Sequence, residues 1–206
     1  MAVLAYHLVF SAYGHWLPND PRGSGSTYVG SKDLLRFGRA THLDDRSRSV
    51  ARRPHDQQLR QAAKQALKRP QVLFTGIQAR AIGRGFANYV ERHGLTVWAC
   101  SILQAHVHMV VARFRLNAEP LVQQLKSAAT RRLLKEELHP FQQDATIADA
   151  MPSCWAERLW KVYLDTEVAI LREIRYVEEN PEKDGKSRQK WSFVRPYPLR
   201  HPRSPV

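Results

Sequence analysis

Residues 95–114 carry no charged side chain before Arg113, and their one polar pause is Gln104-Ala105. A run of this length with a central break reads as two buried strands, 95–103 and 106–114, joined as a hairpin. Side chains alternate along a strand. One face of the second strand therefore carries His106, His108, Val110, Ala112 and Phe114, and the other carries Val107, Met109, Val111 and Arg113. Two imidazoles projecting together suit two adjacent ligands of one metal ion. The plainer reading is a half-exposed strand with two histidines. Gln104 is the only other polar residue close by in sequence, and buried imidazoles need partners.

The hairpin sits within a regular alternation of elements. Residues 5–11 read as a strand that enters a turn-rich segment over 14–26, followed by a polar, basic loop over 27–54. Leu59, Ala63, Ala66 and Leu67 make the stripe of a short helix over 56–68, which Pro70 ends. Thr75 caps a helix over 76–93, with Ile77, Ala81, Phe86, Tyr89 and Val90 on its buried side and Gly94 closing it. Gly83 and Gly85 weaken that helix. After the hairpin, Leu121, Leu125, Ala128 and Leu133 mark a long helix over 119–138, and 140–152 is loop. A short strand follows around 159–163, and Asp165-Thr166 caps a last helix ending at Asn180, before Pro181.

The order β-α-β-β-α-β-α predicts an α+β fold. Its first six elements form a ferredoxin-like split βαβ unit, an antiparallel sheet with helices on one face. The seventh is an added helix. The other face of the sheet is left for a nucleic acid or a catalytic group.

In that last helix Ile170, Leu171, Ile174 and Val177 share one side and must face the core. Tyr176 and Asn180 form the adjacent stripe, with Ala169 beneath and Glu173 beside them. Taken singly, Tyr176 is a packing residue and Asn180 a helix end. If the helix docks near the paired imidazoles, the phenol and the amide carbonyl converge on the same ion.

The formal charge is +13 across 206 residues, which makes a polyanion the expected partner. A hydrophobic content of 43% argues for a folded chain of about one domain. Cys100 and Cys154 match no zinc spacing and read as buried thiols in a reducing compartment. The apolar start has no basic segment before it and is too short to span a bilayer. A soluble, cytoplasmic protein without membrane association is expected.

These residues resemble the single-tyrosine HUH transposases of the IS200/IS605 type, closest to the REP-associated tyrosine, or IS200-like, transposases. The resemblance is carried by 106–111 (His-Val-His-Met-Val-Val), by Gln124-Leu125-Lys126-Ser127, and by Arg158-Leu159-Trp160-Lys161. It continues in 175–181 (Arg-Tyr-Val-Glu-Glu-Asn-Pro), in 6–11 and 16–23 near the start, and in 191–197 (Trp-Ser-Phe-Val-Arg-Pro-Tyr). It covers about 1–23 and 72–197.

The resemblance implies that His106, His108 and Asn180 bind a divalent metal, Mg²⁺ or Mn²⁺, and that Tyr176 is the nucleophile. Ala105 departs from relatives, which commonly place Asp or Asn there. Residues 1–182 would be the nuclease domain, with 24–71 inserted between its first strand and first core helix, and 183–206 a basic, Pro-rich tail. The activity implied is cleavage and rejoining of single-stranded DNA, at hairpin or palindromic ends, through a 5′-phosphotyrosine. A homodimer is possible in this family. Such chemistry conserves the phosphodiester energy, so no phosphate-cradling loop is required.

Lys126, Arg131, Arg132, Lys161, Arg172 and Arg175 are candidate phosphate contacts. Trp191, Phe193 and Tyr197 in the tail either stack on bases or fold back on the body. Glu173 either assists proton transfer or is a solvated surface charge. A catalytically silent hairpin-binding relative would carry the same charge. Two-histidine phosphoesterases need a second His-x-Ser/Thr motif, and amidohydrolases need a barrel of about 250 residues; the chain has neither.

Overall fold

The computed structural model describes residues 2–15, 17–20, 32–39, 56–143 and 151–198. Of the expected loop over 27–54 only 32–39 is described; the rest of it, half of the 16–23 motif, residues 144–150 and the end of the tail lie outside the described residues.

Among the described residues four strands form one sheet: β1 (Ala5–Ala12), β2 (Val97–Ile102), β3 (His106–Ala112) and β4 (Trp155–Leu164). Their spatial order is β2-β3-β1-β4, and every neighbouring pair is antiparallel. That is the order of the split βαβ unit. β4 is longer than the apolar pattern suggests, because Trp155 pairs with Ala12 past a register shift in β1.

Among the described residues four α-helices accompany the sheet: α1 (Gln57–Gln65), α2 (Gly76–His93), α3 (Ala118–Lys135) and α4 (Glu167–Lys183). α1 is shorter than the 56–68 stripe, starts from an Asp56 cap and packs with a 3-10 turn at Lys32–Phe37. The α2 start is a reciprocal cap. Thr75 Oγ1 accepts from the Gln78 N–H, and Gln78 Oε1 accepts from the Thr75 N–H. Gly94, at φ 64°, closes the helix in the left-handed region.

α2 and α3 pack together over one face of the sheet, where Leu8, Phe10, Val107 and Met109 meet Ile82, Phe86, Leu121 and Leu125. The two glycines that weaken α2 as an isolated helix allow this packing. A Cβ on Gly85 would stand 2.8 Å from Ala128 O and Ala129 Cα, and one on Gly83 would overlap the Trp191 ring.

The second face is covered by α4, mainly over β2 and β3. Ile170 and Val177 there complete a small core with Ala5, Ala99, Val110 and Leu164. Thr166 caps this helix by accepting from the Ala169 N–H. α4 does not stop at Asn180 as the Asn-Pro pair suggests; it continues through Pro181 to Lys183. A proline in the last turn forfeits only one backbone hydrogen bond, and a turn at Gly185, φ 68°, ends the helix instead.

The tail returns to the body. The Gln189 side-chain amide pairs with both backbone groups of Ile102 on the outer edge of β2, and Arg195 N–H donates to Val97 O. Phe193 is buried in the main core with Trp191 against it, and Tyr197 packs on Trp98 at 4.7 Å. These aromatics therefore fold back, and the β2 edge is covered. No helix among the described residues is long and apolar enough to cross a membrane.

Candidate functional site

The sheet register puts three histidines under α4. In β1 and β3, His7 pairs with Val110, Val9 with His108, and Ser11 with His106. Directly paired residues share a face, so His7, His106 and His108 all point to the side that α4 covers. The diagonal neighbours His7 and His108 meet, with His7 Nε2 3.0 Å from His108 Nδ1. The His106 and His108 rings lie edge to face at 4.8 Å.

α4 completes the cluster. Glu173 Oε2 stands 2.9 Å from His7 Nδ1, an ion-pair contact, and its other oxygen receives Arg172 Nε at 3.1 Å. One turn on, the Tyr176 ring lies 5.8 Å from the His7 ring and 5.6 Å from the His108 ring. All three rings come from one chain. Two further turns on, Lys183 Nζ stands 3.8 Å from the centroid of the Tyr176 ring. Trp160 of β4 closes the other side of His7 at 5.9 Å.

Burial shapes the charges here. His7 and His108 are 1% and 6% exposed, whereas Tyr176 is 40% exposed and reaches solvent. Burial first, then the neighbouring His106, His7 and Lys183, pushes His108 well below the ordinary imidazole range. It is neutral at neutral pH. Burial works against the charge of Glu173, but its contact with His7, and then Arg172, outweighs this and holds the carboxyl below its usual range. Lys183 is lowered by burial, against the pull of Glu179 and Glu173.

Four buried side-chain polar atoms at this layer make no hydrogen bond among the described residues. They are His7 Nδ1, whose near neighbour is Glu173 Oε2, together with Ser11 Oγ, Ser101 Oγ and Asn180 Nδ2. Ser11 sits directly across from His106, and Ser101 across from His108. Asn180 is buried one turn beyond Tyr176 on α4. Among the described residues no group of three or more His, Cys, Asp or Glu is arranged to hold a metal. The candidate donors are of another kind, two imidazoles and an amide. A neutral His108 with a free lone pair, His106 beside it and an amide carbonyl at Asn180 are donor types that a divalent cation taking nitrogen and oxygen ligands accepts.

Of the residues expected from sequence, His106, His108 and Tyr176 are brought together, and Asn180 lies on the same helix one turn away. The cations are not. Lys126 is 5% exposed, with Nζ donating to Ala156 O at 2.7 Å and Glu157 O at 3.3 Å. Its ammonium braces the start of β4 and is not presented to a phosphate. Burial lowers it to about 8.

Arg132 pairs with Glu136, and Lys161 with Glu119, on the α3 side of the sheet; Arg131 is exposed on the same helix. Arg172 and Arg175 are exposed on α4, across the sheet from them. The sequence singles out neither His7 nor Lys183, and it leaves Glu173 between proton transfer and a solvated charge. The available signal was His7 on the inward period of a strand with Ala5, Val9 and Ser11.

No protein-family model matches the chain, and the comparison with curated proteins finds no match. Solved structures similar to it include a REP-associated tyrosine transposase bound to a REP hairpin. That likeness has a TM-score of 0.46 and 9% identity, over 90% of this chain and 70% of the other. Another is a candidate transposase from Deinococcus radiodurans R1, with a TM-score of 0.36 and 14% identity, over 91% and 94%.

Proposed function

We propose that this chain is a transposase-type enzyme that nicks and rejoins single-stranded DNA, with Tyr176 as nucleophile. The observation that carries the reading is the Tyr176 ring seated against both His7 and His108 while keeping access to solvent. A packing tyrosine has no need of imidazole neighbours and a cation.

Tyr176 Oη attacks the phosphorus of a DNA phosphodiester. The bond from phosphorus to the 3′ oxygen breaks, the 5′ end stays on the enzyme as a phosphotyrosine ester, and the 3′ oxygen leaves as a hydroxyl after taking a proton from solvent. Attack by a free 3′-OH on the same ester reverses the step, so no nucleotide energy source enters. A phenol of reference pKa near 10 is ionised in only about one molecule in a thousand at pH 7. The ammonium of Lys183 over the ring favours the phenolate, and the phenolic proton passes to water at the exposed edge.

His106, His108 and the Asn180 carbonyl are the residues proposed to hold a divalent cation, Mg²⁺ or Mn²⁺. When bound, it supplies positive charge against a nonbridging phosphate oxygen. Arg172 and Arg175 flank the helix that carries the nucleophile and are the better placed of the cations to meet the strand. A hairpin or palindromic DNA end is the proposed partner.

Incubation with single-stranded DNA and Mn²⁺, followed by a denaturing gel, tests this. The wild type is expected to form a covalent adduct, and Tyr176→Phe to bind DNA without one. Binding by the wild type with no adduct would instead identify a silent hairpin-binding protein.

A further inference from the structure

We propose that Trp160 is a stacking platform for an unpaired base of the DNA strand, at or next to the phosphate that Tyr176 attacks. The inference rests on the proposed function and adds a base subsite to it.

The sheet order leaves space for a strand of DNA beside the nucleophile. Among the described residues β4 is an edge strand that pairs with β1 alone, and α4 lies mainly over β2 and β3. The part of this face carried by β4 is therefore not roofed by the helix. Trp160 pairs with Val9 and Val162 with His7, so both project from that face. Both are partly exposed. They form an apolar ledge beside His7.

Trp160 is set apart from the other described tryptophans. Trp155 packs on Phe10 and Phe74, Trp191 on Phe193, and Trp98 on Tyr197. Each of these belongs to an apolar core or lies against one. Among the described residues Trp160 belongs to neither of the cores that flank the sheet. Its ring stands edge to face against His7 at 5.9 Å, and the Tyr176 ring lies 5.8 Å from the same imidazole. Both rings meet one histidine, so a base on Trp160 lies within a nucleotide's reach of the phenol. A large indole left partly in water forgoes much of the burial that would stabilise the fold. A base laid on its face would supply that burial.

The charges fit the same occupant. The Glu173 carboxylate beside His7 is matched by Arg172, whose Nε stands 3.1 Å from it. Lys183 Nζ stands 3.8 Å from the centre of the Tyr176 ring, and Arg175 is exposed on the same helix. Cations along α4 suit the phosphates, and the ledge on β4 suits the bases. Aromatic rings beside a basic groove bind single strands with little regard to sequence. Stacking of this kind needs an unpaired base, so the ledge favours a single strand over a duplex.

The test uses the full chain, without metal, and a thymidine oligomer carrying bromodeoxyuridine in place of thymidine. Irradiation joins bromouracil to an aromatic side chain stacked on it, and peptide mapping identifies the residue. The wild type is expected to crosslink through Trp160. Trp160→Ala should bind the oligomer roughly 5- to 150-fold more weakly by fluorescence anisotropy, with an unchanged slope of log affinity against log salt. Trp160→Phe keeps a ring against His7 and should recover most of the loss.

Crosslinks at other aromatic residues with none at Trp160, or equal affinity in Trp160→Ala and wild type, would overturn the inference and leave the proposed chemistry standing. A crosslink at Trp160 in a wild type that forms no adduct with Mn²⁺ supports the platform and overturns the proposed chemistry instead.

Discussion

Lys183 Nζ lies 3.8 Å from the centre of the Tyr176 ring, held there because α4 runs through Pro181 instead of ending before it. Seven residues separate the two, which is two turns of helix, so both project from one stripe. An ammonium at that distance stabilises negative charge developing on the phenol oxygen as it attacks. Lys183→Met keeps the aliphatic stem and removes the charge. It should slow adduct formation roughly tenfold, measured as single-turnover rates from pH 6 to 10. Equal rates across that range would show that the cation does not act on the phenol.

His108 makes the fold sensitive to acid. Its folded-state pKa lies well below the unfolded value, because burial and neighbouring positive groups oppose its charge. The unfolded chain therefore takes up a proton first, near pH 6.5. The neutral ring contributes its full stability above that pH, and the contribution falls away as pH drops from there through the folded pKa. Denaturant midpoints for the wild type should fall more steeply between pH 6.5 and 5 than those of His108→Asn. Parallel curves would contradict the assignment.

Lys126 shows where an expectation from sequence and the folded structure part. Its helical position among Arg131, Arg132 and Lys135 makes it look like a surface cation. Its stem instead runs through the core to carbonyls of β4. Lys126→Met should leave those carbonyls unsatisfied and lower stability by about 1–3 kcal/mol. DNA affinity and its salt dependence should not change. Arg175→Gln is the contrasting case: stability is retained, and the slope of log affinity against log salt falls by about one.

Gly85 tests the packing that carries the sheet's other face. Alanine is the better helix former by about 1 kcal/mol, yet its Cβ would press on the α3 backbone at 2.8 Å. Gly85→Ala should be destabilising by about 1–3 kcal/mol net, read from equilibrium unfolding. A stabilised protein would mean that α2 and α3 are further apart than described.

The legible part of this molecule was the part written in local periodicity. The Thr75 and Gly94 caps, the Gln104-Ala105 connection and the alternation through His106 and His108 each depend on residues a few positions apart. The shared helical stripe of Tyr176 and Asn180 was legible for the same reason. His7 was not, since its partners His108 and Glu173 are remote in sequence and meet it only because β1 lies beside β3 and under α4. The same topology divides the cations between two faces, which no count of charge reveals. Pro181 misled because a proline ends a helix only when more than its last turn is at stake.

The central claim is that the phenol of Tyr176 becomes joined to DNA, and its most direct test is peptide mapping of the covalent species. Wild-type protein reacted with a single-stranded substrate and Mn²⁺ would be digested with nuclease and protease and examined by mass spectrometry. A 5′-linked nucleotide on the peptide containing Tyr176 is the result expected. A nucleotide on any other residue, or cleavage by Tyr176→Phe at the wild-type rate, would contradict the account.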